Sequence, residues 1–319
     1  MSLHMRTVVV LGTGGTIAGT GAPGAQDHAY QAAQLGVAEL LAPWMSAPGW
    51  TLEAQQVAQL DSKDMDHAVW LNLAIAAQAA LNRPEVAGVV ITHGTDTVEE
   101  TAVFLHEVLR TGGKPVVLTC AMRPSTSEQA DGPAHLAQSW ALVTAARARG
   151  VLVVFAGQAW AATAVRKRHP FALDAIGGGD EAPLARWDGQ AWRHDAATVG
   201  HDGPGRGAEH LPPSVADWPR VAVLPSHAGV EAWWVEAGLN AGVQGWVVSG
   251  TGNGSFHRVL ESAFDAAQRA GRLRREQVLV CTRCLGGSVV GQPPHGWPVA
   301  ASLTPPQARA WLMVQLMRR

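Results

Sequence analysis

The stretch 86-VAGVVITHGTDTVEETAVFL-105 sets the fold. Val86 to Ile91 is a short, uncharged, β-branched run, which reads as a buried strand of a parallel sheet. A polar loop, Thr92-His93-Gly94-Thr95-Asp96-Thr97, follows, and then a helical pattern begins at once. Thr97 is placed to cap that helix. Glu99 and Glu100 stand in its first turn, where unpaired N–H groups and the helix dipole favour negative charge. The loop therefore lies at the carboxyl end of a strand, which is where open α/β sheets hold their ligands. Threonine hydroxyls and a carboxylate gathered there make a candidate site.

Working outward, the same strand-then-helix device recurs. Thr7 to Leu11 reads as a first strand, running into the turn Gly12-Thr13-Gly14-Gly15-Thr16-Ile17-Ala18-Gly19. Residues 19 to 30, with Gly21, Pro23 and Gly24, have the character of a mobile loop. A short helix is expected from Val37 to Met45, ending near Pro48, and a strand within Trp50 to Leu60. A longer helix over 66–81 carries its apolar groups at Val69, Trp70, Leu73, Ala76, Ala77 and Ala80. Beyond the central stretch, a strand from Pro115 to Thr119, a helix over 133–148 and a strand from Val151 to Phe155 complete a doubly wound pattern.

Residues 156–212 break this rhythm. They contain the basic cluster Arg166-Lys167-Arg168 and the run Gly177-Gly178-Gly179. A second, smaller unit follows, with strands at Val221–Leu224, Gly245–Val248 and Gln277–Thr282 and helices at Val230–Ala237, Glu261–Ala270 and Pro305–Met317. The last helix has a strong start signal in Thr304, Pro305 and Gln307. The expected architecture is α/β: a larger N-terminal doubly wound, mostly parallel sheet over residues 1–195, a linker over 196–217, and a smaller C-terminal α/β domain over 218–319.

Composition narrows the function. With 319 residues, 47% of them hydrophobic, the chain has enough apolar material for two cores. The formal charge is −2, from 24 basic and 26 acidic side chains, which argues against an extended nucleic-acid-binding face. No apolar stretch approaches the length of a membrane span, and the apolar segment near the start is too short for a signal peptide. Three Cys cannot build a disulfide framework, so a cytoplasmic location is expected. The thirteen Trp, against one Tyr and five Phe, read as filler of cores and subunit contacts.

The glycine turn lacks the third glycine of a dinucleotide loop, since Ile17 stands there, and it lacks the lysine of a P-loop. It does place the Thr16 hydroxyl beside backbone N–H donors, which suits attack on a carbonyl. The segments 11-LGTGGTIAG-19, 92-THGTDTVEETA-102 and 121-AMRPSTSEQADGP-133 resemble the signature segments of bacterial-type L-asparaginases, the amidohydrolase family that includes the glutaminase-asparaginases. The resemblance extends over essentially the whole chain, including 249-SGTGNGSF-256 and the closing helix.

What the resemblance implies is specific. Thr16 is the primary nucleophile, and Tyr30, the only tyrosine, is its loop partner. Thr95 is the second catalytic hydroxyl and Lys167, in 165-VRK-167, its lysine partner. Asp96 binds the α-amino group of a small amino-acid substrate. Ser62, in 61-DSKDM-65, binds its carboxylate, with Lys63 and Gly15 beside it. Asn253 contacts the amino group across a subunit boundary, in a homodimer or homotetramer whose active sites form between subunits. The physical case runs parallel: amide hydrolysis needs a nucleophile, an acceptor for its proton and donors for the oxyanion, for which backbone N–H groups near Gly15 and Thr95 are available.

Two departures stand out. Lys63 occupies a position that is often glutamine in secreted relatives. The segment 280-VCTRCLGGSVVGQPPHG-296, expected to supply a neighbouring subunit's glutamate, contains no acidic residue: either another group such as Arg283 or Ser288 takes that role, or the Tyr30 arrangement works differently. Cys281 and Cys284 have metal-ligand spacing but lack a second pair, so neither metal nor cofactor is expected. The expected reaction is hydrolysis of L-asparagine to L-aspartate and ammonia through a threonine acyl-enzyme. The alternatives are glutamine or another small amide, or a non-catalytic amino-acid-binding protein on the same fold.

Overall fold

The structure is a computed structural model that describes residues 6–22, 26, 29–42, 49–145 and 147–318. The expected loop residues Pro23 and Gly24, and the expected helix end from Met45 to Pro48, lie outside the described residues. The chain divides into two compact units, residues 1–211 and 212–319.

The first unit runs β1 (Arg6–Gly14), β2 (Thr20–Gly21), β3 (Tyr30–Gln31), α1 (Val37–Leu41), β4 (Trp50–Leu60), α2 (His67–Leu81), β5 (Val86–Thr92) and α3 (Val98–Val108). It continues with β6 (Pro115–Thr119), α4 (Gly132–Thr144), β7 (Gly150–Phe155) and five short strands: β8 (Gln158–Ala161), β9 (Val165–Lys167), β10 (Ile176–Gly178), β11 (Ala185–Trp187) and β12 (Trp192–Arg193). Eight strands form one sheet in the order β12-β11-β8-β7-β6-β5-β1-β4. The neighbours from β4 through β7 pair in parallel, whereas β8, β11 and β12 extend the sheet antiparallel.

β5, β6 and β7 are buried along their whole length, as uncharged β-branched runs require when helices cover both sheet faces. One face buries Val8, Val10, Val90, Val117 and Val154 against Ile17, Leu136 and Leu142. Each fully buried side chain of this size contributes ~1.5–3 kcal/mol. α2 starts on a good cap, the Asp66 carboxylate accepting from Val69 N at 2.8 Å. Its Trp70 stacks on Phe104 of α3, with ring centroids 4.8 Å apart.

Some sequence expectations change. β1 does not stop at Leu11 but continues to Gly14, with its pairing to β4 slipping between Gly12 and Gly14. α4 ends at Thr144, whose hydroxyl turns back onto Trp140 O, and the chain leaves the helix at Ala145. Residues 156–195 are not irregular: β8, β11 and β12 enlarge the sheet, while β9 and β10 form a separate two-stranded ribbon. Part of the segment expected as a linker is held by the first unit: Val199 exchanges backbone hydrogen bonds with Arg147 and Arg149, and Gly207 N donates to Val108 O.

The second unit is a three-stranded parallel sheet, in which β13 (Val221–Pro225), β14 (Gly245–Gly250) and β15 (Val278–Thr282) lie in that order. Its helices are α5 (Trp233–Asn240), α6 (Arg258–Arg269) and α7 (Pro305–Met317). Trp246, Leu260, Phe264, Val280 and Trp297 form its core. α7 begins as expected, with Thr304 and Gln307 in a reciprocal capping box.

Candidate active site

In the first unit the chain leaves β1 to form β4 on one side of it, then returns to form β5 on the other. The loops at the carboxyl ends of β1 and β5 therefore diverge at a topological switch point, where open α/β sheets form a crevice. β1 is followed by Gly15-Thr16, and β5 by His93-Gly94-Thr95-Asp96.

Two glycines press these loops together. A Cβ on Gly15 would lie 2.4 Å from Gly94 Cα, and one on Gly94 would lie 2.4 Å from Ser62 Oγ. Gly15 also has φ +80°, a conformation that L side chains rarely adopt. Only glycine at both positions lets the loops carrying Thr16, Thr95 and Ser62 share one place.

Thr16 opens a single 3-10 turn, Thr16–Ala18, and is buried. Its Oγ1 lies 2.6 Å from Tyr30 Oη. Tyr30 reaches it from the ribbon of β2 and β3, where Gly21 pairs with Tyr30. This ribbon is stitched to the loop after β6. Ser125 donates to Gly19 O through both N and Oγ, at 2.9 and 2.7 Å, and Gly21 N donates to Thr126 Oγ1 at 2.8 Å.

The second group forms around Lys167 at the end of β9. Its Nζ donates to Thr95 Oγ1 at 2.9 Å and to Asp96 Oδ1 at 2.5 Å. The lysine side chain is 20% exposed and the aspartate 48%, so the ion pair lies at the rim of the site. The Lys167 backbone N–H donates to Glu99 Oε2 at 3.2 Å. Ser62 joins from the 3-10 turn Ser62–Asp64: its Oγ accepts from Asp96 N at 3.1 Å, and its carbonyl accepts from Thr97 Oγ1 at 2.8 Å. Thr97 thus stands at the cap position of α3 but makes no side-chain cap hydrogen bond; its hydroxyl donates to Ser62 O.

His93 organises the loop from beneath. It is fully buried, and burial lowers its pKa to about 4, so the ring is neutral. Its Nδ1 lies 2.7 Å from Gly94 O, an acceptor only, so Nδ1 carries the proton. Nε2 then accepts from Thr101 Oγ1 at 3.0 Å, and Thr101 in turn accepts from Trp70 Nε1 at 2.9 Å. This chain fixes the Gly94 carbonyl, and across a planar trans peptide it turns the Thr95 N–H the opposite way. Of the backbone N–H groups around Gly15, that of Gly15 itself donates to Leu60 O at 2.9 Å.

The remaining candidates lie as follows. Lys63 is exposed, its Nζ held by Asp61 and Asp64 at 2.9 and 3.1 Å, and these hydrogen bonds raise its pKa. In the second unit, the Asn253 amide is engaged with Val290, donating to its carbonyl at 2.8 Å and accepting from its N–H at 2.7 Å. Arg283 Nη1 donates to Ser226 O at 3.2 Å. Cys281 is buried in β15, which pushes its thiol pKa up to about 12, while Cys284 is exposed; both are free thiols. Among the described residues, no group of three or more His, Cys, Asp or Glu is placed to hold a metal ion, and no helix is long and apolar enough to cross a membrane.

Sequence reading did not find the parts that only tertiary structure reveals: Glu99 on the Lys167 backbone, the Trp70–Thr101–His93 chain, and the Ser125–Thr126 stitch. The acidic first turn of α3 did mark Glu99, but as a partner of the helix dipole.

Hydroxyl-bearing loops thus converge at the switch point of a mostly parallel α/β sheet. The chain belongs to the asparaginase family: residues 7–199 match the model for the N-terminal asparaginase domain, and residues 220–319 match the glutaminase/asparaginase C-terminal domain. It is 31% identical to a glutaminase-asparaginase of Pseudomonas fluorescens, over 98% of this chain and 87% of the relative. It is 32% identical to a probable periplasmic L-asparaginase of Haemophilus influenzae, over 97% and 88%. Its structure is similar to that of a probable cytoplasmic L-asparaginase from Campylobacter jejuni, with a TM-score of 0.85 and 30% identity, covering 98% of this chain and 96% of that one.

Proposed function

We propose that the protein hydrolyses the side-chain amide of L-asparagine, giving L-aspartate and ammonia through an ester on Thr16. The observation that carries this reading is the 2.6 Å contact between Thr16 Oγ1 and Tyr30 Oη, with Thr95 and Lys167 on the adjoining loop. A threonine hydroxyl is a weak nucleophile unless a partner in contact takes its proton. Tyr30 is that partner. As Thr16 Oγ1 bonds to the amide carbon, its proton passes through Tyr30 to the departing nitrogen, and ammonia leaves. Water then adds to the ester carbon beside Thr95 Oγ1, and Thr16 regains a proton as the carbon–oxygen bond breaks.

The oxyanion is held by the Thr95 N–H, whose direction His93 fixes through Gly94. Asp96 receives the substrate ammonium: one of its oxygens holds Lys167, and a carboxylate has acceptor capacity for more. Ser62 Oγ, accepting from Asp96 N, keeps its own O–H to donate to the substrate carboxylate. Lys63 and Gly15 frame that end of the site. Asn253 contributes from a neighbouring subunit of a homodimer or homotetramer, a role that rests on the resemblance of residues 249–256. The cysteine content supports a cytoplasmic location, which is also the location in the name of the Campylobacter jejuni neighbour.

Glutamine is the second substrate, favoured by the glutaminase-asparaginase name of a 31% identical relative. One extra methylene shifts discrimination by only about 1–3 kcal/mol. The test is a turnover assay with L-asparagine, L-glutamine and their D-isomers, using the wild type, Thr16→Ala and Thr95→Ala. L-asparagine is expected to be fastest, with both variants strongly impaired. Preference for another amide would displace the substrate assignment, and full activity in both variants would displace the mechanism.

A further inference from the structure

We infer that Glu99 is a positioning residue for Lys167, and that the segment Thr95–Glu99 grips this lysine at both ends. The inference rests on the reading of Lys167 as the partner of Thr95. The side-chain end is held by Thr95 Oγ1 and Asp96 Oδ1, and the backbone end by the 3.2 Å hydrogen bond from Lys167 N to Glu99 Oε2.

The architecture of β9 explains why such a clamp is needed. β9 is only three residues long and belongs to a two-stranded ribbon with β10, outside the eight-stranded sheet. Arg168 N donates inward to Ala175 O, at 2.7 Å. In an antiparallel pair successive N–H groups alternate between facing the partner and facing away, so the Lys167 N–H points out of the ribbon. Glu99, in the first turn of α3, receives it. A two-stranded ribbon has little stability of its own, so its register over the site depends on such outside anchors.

The same short segment thereby sets both ends of the lysine stem. If the backbone anchor is lost, Nζ keeps its partners in principle, but the strand that carries it can drift. A displacement of about 1 Å in such a group can cost about a hundredfold in rate.

The experiment compares kcat and KM for ammonia release from L-asparagine in the full-length protein and in Glu99→Gln, Glu99→Asp, Glu99→Ala, Lys167→Ala and Glu99→Ala/Lys167→Ala. Glutamine keeps an acceptor oxygen at the same reach, so E99Q is expected within about threefold of the wild type, whereas E99D and E99A lower kcat by about tenfold to a hundredfold with KM moved far less. E99D retains the charge at the helix N-terminus, so its loss separates positioning from support of α3. The double variant is expected to be no slower than K167A. Wild-type kcat in E99D and E99A alongside an impaired K167A would overturn the positioning role while leaving the reading of Lys167 intact. Equal losses in E99Q and E99A would assign the effect to charge and also overturn it. Wild-type kcat in K167A would remove the reading on which the inference rests.

Discussion

Tyr30 Oη and Thr16 Oγ1 are 2.6 Å apart, although the tyrosine comes from the small β2–β3 ribbon and the threonine from the turn after β1. The ring also packs closely on Gly19, where a Cβ would lie 2.8 Å from Tyr30 Cδ2. Tyr30→Phe keeps that packing and deletes only the oxygen. It is expected to lower kcat about a hundredfold or more, the range of a lost proton-transfer partner, with Tm unchanged within about 2 °C. Steady-state kinetics and a thermal melt check this; an unimpaired Y30F would remove Tyr30 from the proton path.

Gly94 is expected to reject even a methyl group. A Cβ there would meet Ser62 Oγ at 2.4 Å, Ser62 Cβ at 2.6 Å and Gly15 Cα at 3.2 Å, and none of these is the tip of a long side chain. Gly94→Ala should therefore spread the loops that bring Thr16 and Thr95 together. Overpacking of this kind costs about 1–3 kcal/mol in stability, and kcat/KM should fall by about a hundredfold. Denaturant titration and initial rates measure the two effects.

His93 makes stability depend on pH. Its pKa is lowered from 6.5 to about 4 by burial. Between those values the unfolded chain binds a proton that the folded protein excludes, so stability rises with pH across this window and is lost as pH falls through it. The contribution is about 3 kcal/mol over the full window. His106, also lowered to about 4 by burial and by His201, acts in the same direction. Unfolding free energy measured from pH 7 to pH 4 should fall more steeply in the wild type than in His93→Gln, by about one proton's worth of slope. Parallel curves would contradict the neutral, buried assignment of His93.

The second unit offers a test independent of the active site. Thr304 Oγ1 accepts from Gln307 N at 3.3 Å, while Gln307 Oε1 accepts from Thr304 N at 2.9 Å. Thr304→Ala removes one half of this box and should cost about 1 kcal/mol, with kcat unaffected. A melt and an ammonia assay on the same sample suffice to check it.

These particulars also show what was legible in the sequence. β5, β6 and β7 are uncharged runs buried along their whole length, and α7 carries a cap whose side chains bond as their spacing implies. Thr16, Thr95, Asp96 and Ser62 stand in loops that follow such elements, so the resemblance located them and the structure places them on adjoining backbone. The strands β8 to β12 were not legible: at two to four residues, they are too short to show a period and exist through their partners. Thr97 has a cap's composition and stands at the cap position of α3, yet it makes no side-chain cap hydrogen bond and its hydroxyl donates to Ser62 O. Glu99 looked like dipole chemistry and is a tether for a residue 68 positions away.

The most direct test of the central claim is to trap the covalent intermediate. Rapid acid quench of the protein mixed with L-asparagine, followed by intact-mass and peptide-mass analysis, should reveal an adduct equal in mass to asparagine less ammonia. The adduct should map to Thr16 and be absent from Thr16→Ala. The same adduct on Thr95, or its persistence in Thr16→Ala together with undiminished ammonia release, would contradict the account.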